Sequence, residues 1–228
     1  MSDFDYVREN YKRILYDVED AKVRYRKSDD KIDIMAVTKT VQPEAVNTAV
    51  DCGITLLGEN RVQEYISKKD FYDKKAQVNF IGHLQSNKVK YLIGDVGIIQ
   101  SVDSLGLAGV ISRQAIKKNI RQKILLEVNI GYENSKNGIF PDNLESLIKS
   151  VSELEGIEVC GLMTIPPKEN AEKYFYNMQK LYIDILSKKL DNINMSVLSM
   201  GMSKDFTLAI KYGSNQIRVG TALFGERK

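Results

Sequence analysis

One histidine and two cysteines are all that this 228-residue chain offers of the side chains that most often bind metals or act as nucleophiles. A histidine-rich metal centre cannot be assembled, and a Ser-His-Asp triad would rest on His83 alone. That residue sits in "FIGHLQSNK", just past a strand-like run, where a histidine with satisfied hydrogen bonds is the ordinary reading. Cys52 and Cys160 are far apart and fit no metal or redox spacing, which argues against a disulfide framework and for a reducing, cytoplasmic setting. No apolar run approaches the roughly 20 residues that span a bilayer, so no membrane is expected. The start, "MSDFDYVREN", is polar and acidic, unlike a signal or transit peptide. No proline- or serine-rich linker interrupts the composition, so residues 1–228 are expected to form a single domain. Charge of one sign is also missing: 33 Lys and Arg face 30 Asp and Glu, a net charge of +3. Basic pairs such as Lys68-Lys69, Lys117-Lys118 and Lys188-Lys189 are scattered among acids, a solvated surface rather than a nucleic-acid track.

What is present is alternation. Residues 3–27 place Phe4, Val7, Tyr11, Ile14, Leu15, Val18 and Ala21 at three- and four-residue steps, one buried helical stripe. Strand-like apolar runs follow at 32–37, 54–57, 78–81, 98–99, 124–128, 157–162, 195–200 and 216–219. Helical segments lie between them, among them "PEAVNTAVDCG", with proline at its start and glycine at its end, "PDNLESLIKSVSELEG" and "AEKYFYNMQKLYIDILSKKL". Eight strands alternating with helices imply a parallel sheet, and eight βα units in this length predict a single (β/α)8 TIM barrel preceded by an extra helix. An open doubly wound sheet would carry a glycine-rich dinucleotide loop after its first strand, and "VTKTVQP" is not one.

In such a barrel the chemistry gathers at the carboxyl ends of the strands. Those ends read Lys39, then "GENRVQ", "GHLQSNK", "NIGYENSKNG", "GLMTIPP", "SMGMSKD" and "RVGTALFG". Barrels frequently bind phosphate after strands seven and eight, where Ser203, Gly220 and Thr221 open short helices. Two helix caps are the alternative use of the same residues. A lysine at the first strand end opposite an anion cradle suits a phosphorylated aldehyde held as a Schiff base, since an apolar site frees a neutral, nucleophilic amine. Pyridoxal 5′-phosphate (PLP) has those handles. A strand-end lysine that only pairs with Glu59 is the competing reading.

The chain resembles the pyridoxal phosphate homeostasis proteins over nearly its whole length. The resemblance is carried by "AVTKT", "GENRVQE", "FIGHLQSNK", "QSVDS", "EVNIGYENSKNG", "GLMTI", "SMGMSKDFTLAI" and "IRVGTALFG", in order and in spacing. It implies a barrel of the fold-type III kind, like the amino-terminal domain of alanine racemase, with PLP on Lys39. It further implies that Asn60 lies beside the ring, Met200 packs near the cofactor, Arg218 faces the pyridine nitrogen, and Ser203, Gly220 and Thr221 take the phosphate. Asn79, where many members have histidine, and "KTVQP", where "KTKP" is frequent, depart from the family pattern away from those positions.

The resemblance implies PLP binding and homeostasis in the cell without known substrate turnover, with PLP-dependent apo-enzymes as candidate recipients and no nucleic acid or membrane partner. A monomer is expected. The alternative is an amino-acid racemase or decarboxylase using the same cofactor. Against it stand a cationic arginine at the ring nitrogen, which weakens the electron sink, and the lack of the second domain that helps place the opposing tyrosine base in alanine racemase. A cofactor-free Schiff-base aldolase on Lys39 is a third reading, one that a yellow, borohydride-bleached protein would exclude.

Overall fold

A computed structural model describes residues 4–226. The chain opens with α1 (Asp5–Tyr25), whose Val7, Tyr11, Ile14, Val18 and Ala21 are buried on one face. Leu15 departs from the expected stripe. It follows Ile14 directly, about 100° further round the helix, and is exposed.

Eight strands follow: β1 (Asp33–Val37), β2 (Leu56–Glu59), β3 (Gln77–Phe80), β4 (Ile98–Val102), β5 (Gln122–Glu127), β6 (Ile157–Met163), β7 (Ile193–Met202) and β8 (Gln216–Val219). Each pairs in parallel with the next, and β8 closes on β1 through Asp33 opposite Gln216 and Ala36 opposite Val219. The connecting helices are α2 (Pro43–Asp51), α3 (Val62–Lys68), α4 (Leu105–Lys117), α5 (Pro141–Ser152), α6 (Ala171–Ser187), α7 (Phe206–Lys211) and α8 (Thr221–Phe224). Between β3 and β4 the link is only a 3₁₀ stretch at Ser86–Tyr91. The barrel with its added first helix is the architecture the alternation predicts.

Strand alternation divides the side chains into two populations. Ala36, Leu57, Ile217 and Val219 point outward and pack with α1, α2 and α7. Phe80, Ile99, Ile124, Leu126, Leu162, Leu198 and Met200 do the same around the rest of the ring. The inward positions are notably polar. Gln100 Nε2 donates to Gln216 Oε1 at 2.5 Å across the barrel, and the buried Arg218 donates to Ser199 Oγ at 2.7 Å and to the Thr164 carbonyl at 2.8 Å. Hydrogen bonds of this kind offset much of the cost of burying polar groups. The polar interior therefore carries a cation up to the carboxyl end of the strands.

Candidate functional site

A cavity of about 460 Å³ opens at that end. Val37 of β1, Asn60 just past β2, Ile81 past β3 and Ile165 past β6 form part of its wall, with Arg218, Ser203, Gly220 and Thr221 from the β7 and β8 ends. Thus Asn60, Ser203, Arg218, Gly220 and Thr221, five of the seven residues singled out from the sequence, share one cavity.

Lys39 is not among the residues that line it. It is half-buried in the turn beyond β1, two residues past the cavity residue Val37. Its ammonium has no hydrogen-bond or ion-pair partner among the described residues. Pairing with Glu59 is not its role. Glu59 Oε1 accepts from Thr38 Oγ1 at 2.7 Å and from the Tyr72 hydroxyl, on the helix-facing side of β2. Burial pushes the Glu59 carboxyl upward against those two hydrogen bonds.

Met200 is not brought to the cavity. Leu198 and Met200 share the outward face of β7, and Met200 is fully buried against the helices. At Gly201 the backbone takes φ +91°, where an added Cβ would lie 2.6 Å from the Ala209 Cβ. This kink turns Met202 and Ser203 toward the cavity instead.

At the β7 and β8 ends, the N–H groups of Gly220 and Ala222 both donate to Ser203 Oγ, at 3.2 and 3.1 Å. Ser203 therefore caps the start of α8 from the end of the neighbouring strand. This is the capping arrangement, and it gathers two backbone N–H groups and a hydroxyl at one point of the cavity wall. Arg218 supplies the nearby positive charge. Its pKa is lowered to about 10 by burial, with Glu127 and Asp205 opposing the fall, so it remains a cation at neutral pH. Asn60 Oδ1 is buried and has no partner among the described residues. Gly82 packs against it so closely that a Cβ would meet the Asn60 carbonyl oxygen at 2.0 Å. An orphaned acceptor, a cationic wall, the Ser203 hydroxyl and the apolar Val37, Ile81 and Ile165 suit a ligand with a flat ring and an anionic end.

The cavity has members the sequence reading did not single out: Val37, Ile81, Ile165, Lys168, Ala171, Met202, Lys204 and Asp205. Val37 was marked by its two-residue spacing from Lys39. Lys168 and Lys204 carried no such signal, lying in "PPKEN" and "MSKD" loops whose side-chain directions alternation does not fix. His83 is exposed and borders a separate cleft with Asn60, Arg61 and Lys88.

A closed parallel barrel with this constellation at its carboxyl mouth belongs to the alanine racemase barrel class. The family described as "Alanine racemase, N-terminal domain" matches residues 11–228. Alanine racemase of Clostridium difficile shares the fold at a TM-score of 0.75 and 19% identity, covering 98% of this chain and 57% of the racemase. Pyridoxal phosphate homeostasis proteins are much nearer in sequence. That of Aquifex aeolicus is 42% identical over 225 residues, 96% of this chain and 98% of its own length, and that of Escherichia coli K12 is 31% identical, covering 97% of each. The chain belongs to the pyridoxal phosphate homeostasis protein family. PipY of Synechococcus elongatus, solved with PLP bound, superposes at a TM-score of 0.79 with 29% identity, covering 93% of this chain and 100% of PipY.

Proposed function

We propose that this chain holds PLP in the barrel-mouth cavity, linked to Lys39, and serves intracellular PLP homeostasis rather than substrate turnover. The observation that carries the reading is the convergence of Asn60, Arg218, Ser203, Gly220 and Thr221 on one cavity at the carboxyl end of the barrel. When bound, the cofactor supplies an aldehyde that condenses with an amine. Lys39, in the turn beyond β1 and without an acidic partner among the described residues, is the amine that takes it on this reading. Ser203, with the N–H groups of Gly220 and Ala222, and the Thr221 hydroxyl receive the phosphate. Arg218 meets the ring nitrogen, and Asn60 borders the ring. On this reading residues 1–228 act as one domain, free PLP is the ligand, and PLP-dependent apo-enzymes are its recipients.

The phosphate assignment predicts a ligand-selective loss. A hydrogen bond to a charged group contributes about 1.5–3 kcal/mol, so Thr221→Val should weaken PLP about tenfold or more. Unphosphorylated pyridoxal should be almost unaffected. Parallel titrations of the two ligands followed by absorbance make the comparison, and equal weakening of both would remove Thr221 from the phosphate site.

Homeostasis rather than turnover predicts inert amino acids. Arg218 is held by Ser199 and Thr164 as a cation, which disfavours protonation of a neighbouring ring nitrogen and so weakens carbanion stabilisation. Purified PLP-loaded protein in deuterated water should exchange amino-acid α-protons far below ordinary enzyme rates of about 1–10³ s⁻¹. Exchange within that range, abolished in Lys39→Ala, would replace this reading with a racemase-like enzyme.

A further inference from the structure

The turn that carries Lys39 is held from behind on both sides. Thr38 is fully buried and points away from the cavity, with its hydroxyl 2.7 Å from Glu59 Oε1. Tyr72 donates to the same oxygen. On the other side of Lys39, the Thr40 N–H donates to Glu64 Oε1 at 2.5 Å. Lys68 joins the two halves: its Nζ lies 2.6 Å from Glu64 Oε1 and 3.4 Å from the Thr38 carbonyl. These partners come from β2, α3 and the segment after it, so the "GENRVQE" motif supplies both carboxylates.

The turn itself is not a relaxed one. Thr40 has φ +62°, the left-handed region that a β-branched residue rarely adopts. Such a conformation persists only where the surroundings determine it, and its usual place is beside a functional group. Here the fixing contact is the Thr40 N–H bond to Glu64, whose charge is in turn fixed by Lys68. Lys39 is the one residue of the Thr38–Thr40 turn that these bonds leave free.

We infer that Glu64, with Lys68, and Glu59, with Tyr72, clamp the Thr38–Thr40 turn so that the Lys39 amine is preset for covalent attachment of an aldehyde ligand. The inference rests on the reading of Lys39 as the attachment site and assigns Glu64 and Glu59 as positioning residues, remote from the ligand. A clamp of this kind acts on the amine's orientation and leaves the phosphate and ring contacts intact. It thus separates two quantities that a general loss of structure would lower together.

The test uses two ligands on the intact protein. PLP attaches covalently; its rate is followed by absorbance, and the site is fixed with borohydride and located by peptide mapping. Pyridoxine 5′-phosphate lacks the aldehyde and reports non-covalent binding alone. In Glu64→Ala the attachment rate should fall about tenfold, the low end of what a charge-assisted hydrogen bond supports, while pyridoxine 5′-phosphate affinity stays at the wild-type value. Glu64→Gln, which keeps an acceptor for the Thr40 N–H, should recover most of the rate. Adding Thr40→Gly to Glu64→Ala should recover part, since glycine adopts the turn without help. Wild-type attachment rates in Glu64→Ala, or a parallel fall in pyridoxine 5′-phosphate affinity, would overturn the clamp. Wild-type protein with no adduct at Lys39 would overturn the reading of Lys39 and the clamp with it.

Discussion

Lys39→Ala should abolish both the visible Schiff-base absorbance and the borohydride-fixed adduct, leaving only the spectrum of non-covalently bound PLP. The cavity makes this a sharper test than the sequence does, because Lys168 and Lys204 line it. Both are exposed. Lys39 is half-buried in the turn beyond β1 and has no hydrogen-bond or ion-pair partner among the described residues. Lys168→Ala and Lys204→Ala should therefore retain the adduct at full stoichiometry. The Lys39→Ala protein keeps Ser203, Gly220, Thr221 and Arg218, so it should still bind PLP reversibly through its phosphate. Peptide mapping of the wild-type adduct decides the matter: a modified Lys168 or Lys204 in place of Lys39 would move the attachment site to the loops after β6 or β7.

The barrel was legible because its outer surface obeys the rules that sequence reading uses. Outward residues such as Ile124, Leu126, Ile217 and Val219 are apolar and alternate, so strands stand out. The polar interior is what blurred the boundaries. β4 reads as two residues, Ile98 and Ile99, because Gln100 and Ser101 look like a loop; both are buried, and the Gln100 Nε2 donates to Gln216 from four strands away. No local pattern announces a partner 116 positions distant. Five of the seven candidate residues fall in one cavity because strand ends converge in any closed parallel barrel. Met200 does not, because it continues the outward face that Leu198 begins; the alternation breaks only after it, at Gly201, and Met202 reaches the cavity instead. The clamp around Lys39 was invisible for a different reason. Glu59 and Glu64 stand in a motif that draws attention to its inward-facing Asn60, while both carboxylates act on the far side of the strand.

The same polar interior should make stability fall with pH in a window set by one residue. Glu127 lies buried on the inner face of β5, with Asp103 beyond β4 and Arg218 on β8 as its charged neighbours. Desolvation raises its carboxyl most, the negative charge of Asp103 adds to this, and Arg218 opposes; the outcome is about 7 against an ordinary 4.5. Between those two values the unfolded chain has released a proton that the folded chain still holds. The folded state binds more protons there, so its stability decreases as pH rises. The contribution is fully present below pH 4.5 and gone above about pH 7. A displacement of this size corresponds to about 3 kcal/mol. Glu127→Gln puts a neutral amide of nearly the same shape in place and should remove this slope. Below pH 4.5 the variant and the parent should be of similar stability. Above pH 7 the variant should be the more stable by up to about 3 kcal/mol, a figure that already contains the attraction between Glu127 and Arg218. Arg218 keeps its bonds to Ser199 and Thr164 in either case, so the difference isolates the carboxyl. Urea unfolding midpoints of both proteins at pH 4.5, 6 and 8 measure it directly. A difference that does not change across that range would mean that Glu127 is already ionised at pH 4.5, with Arg218 outweighing the cost of burial.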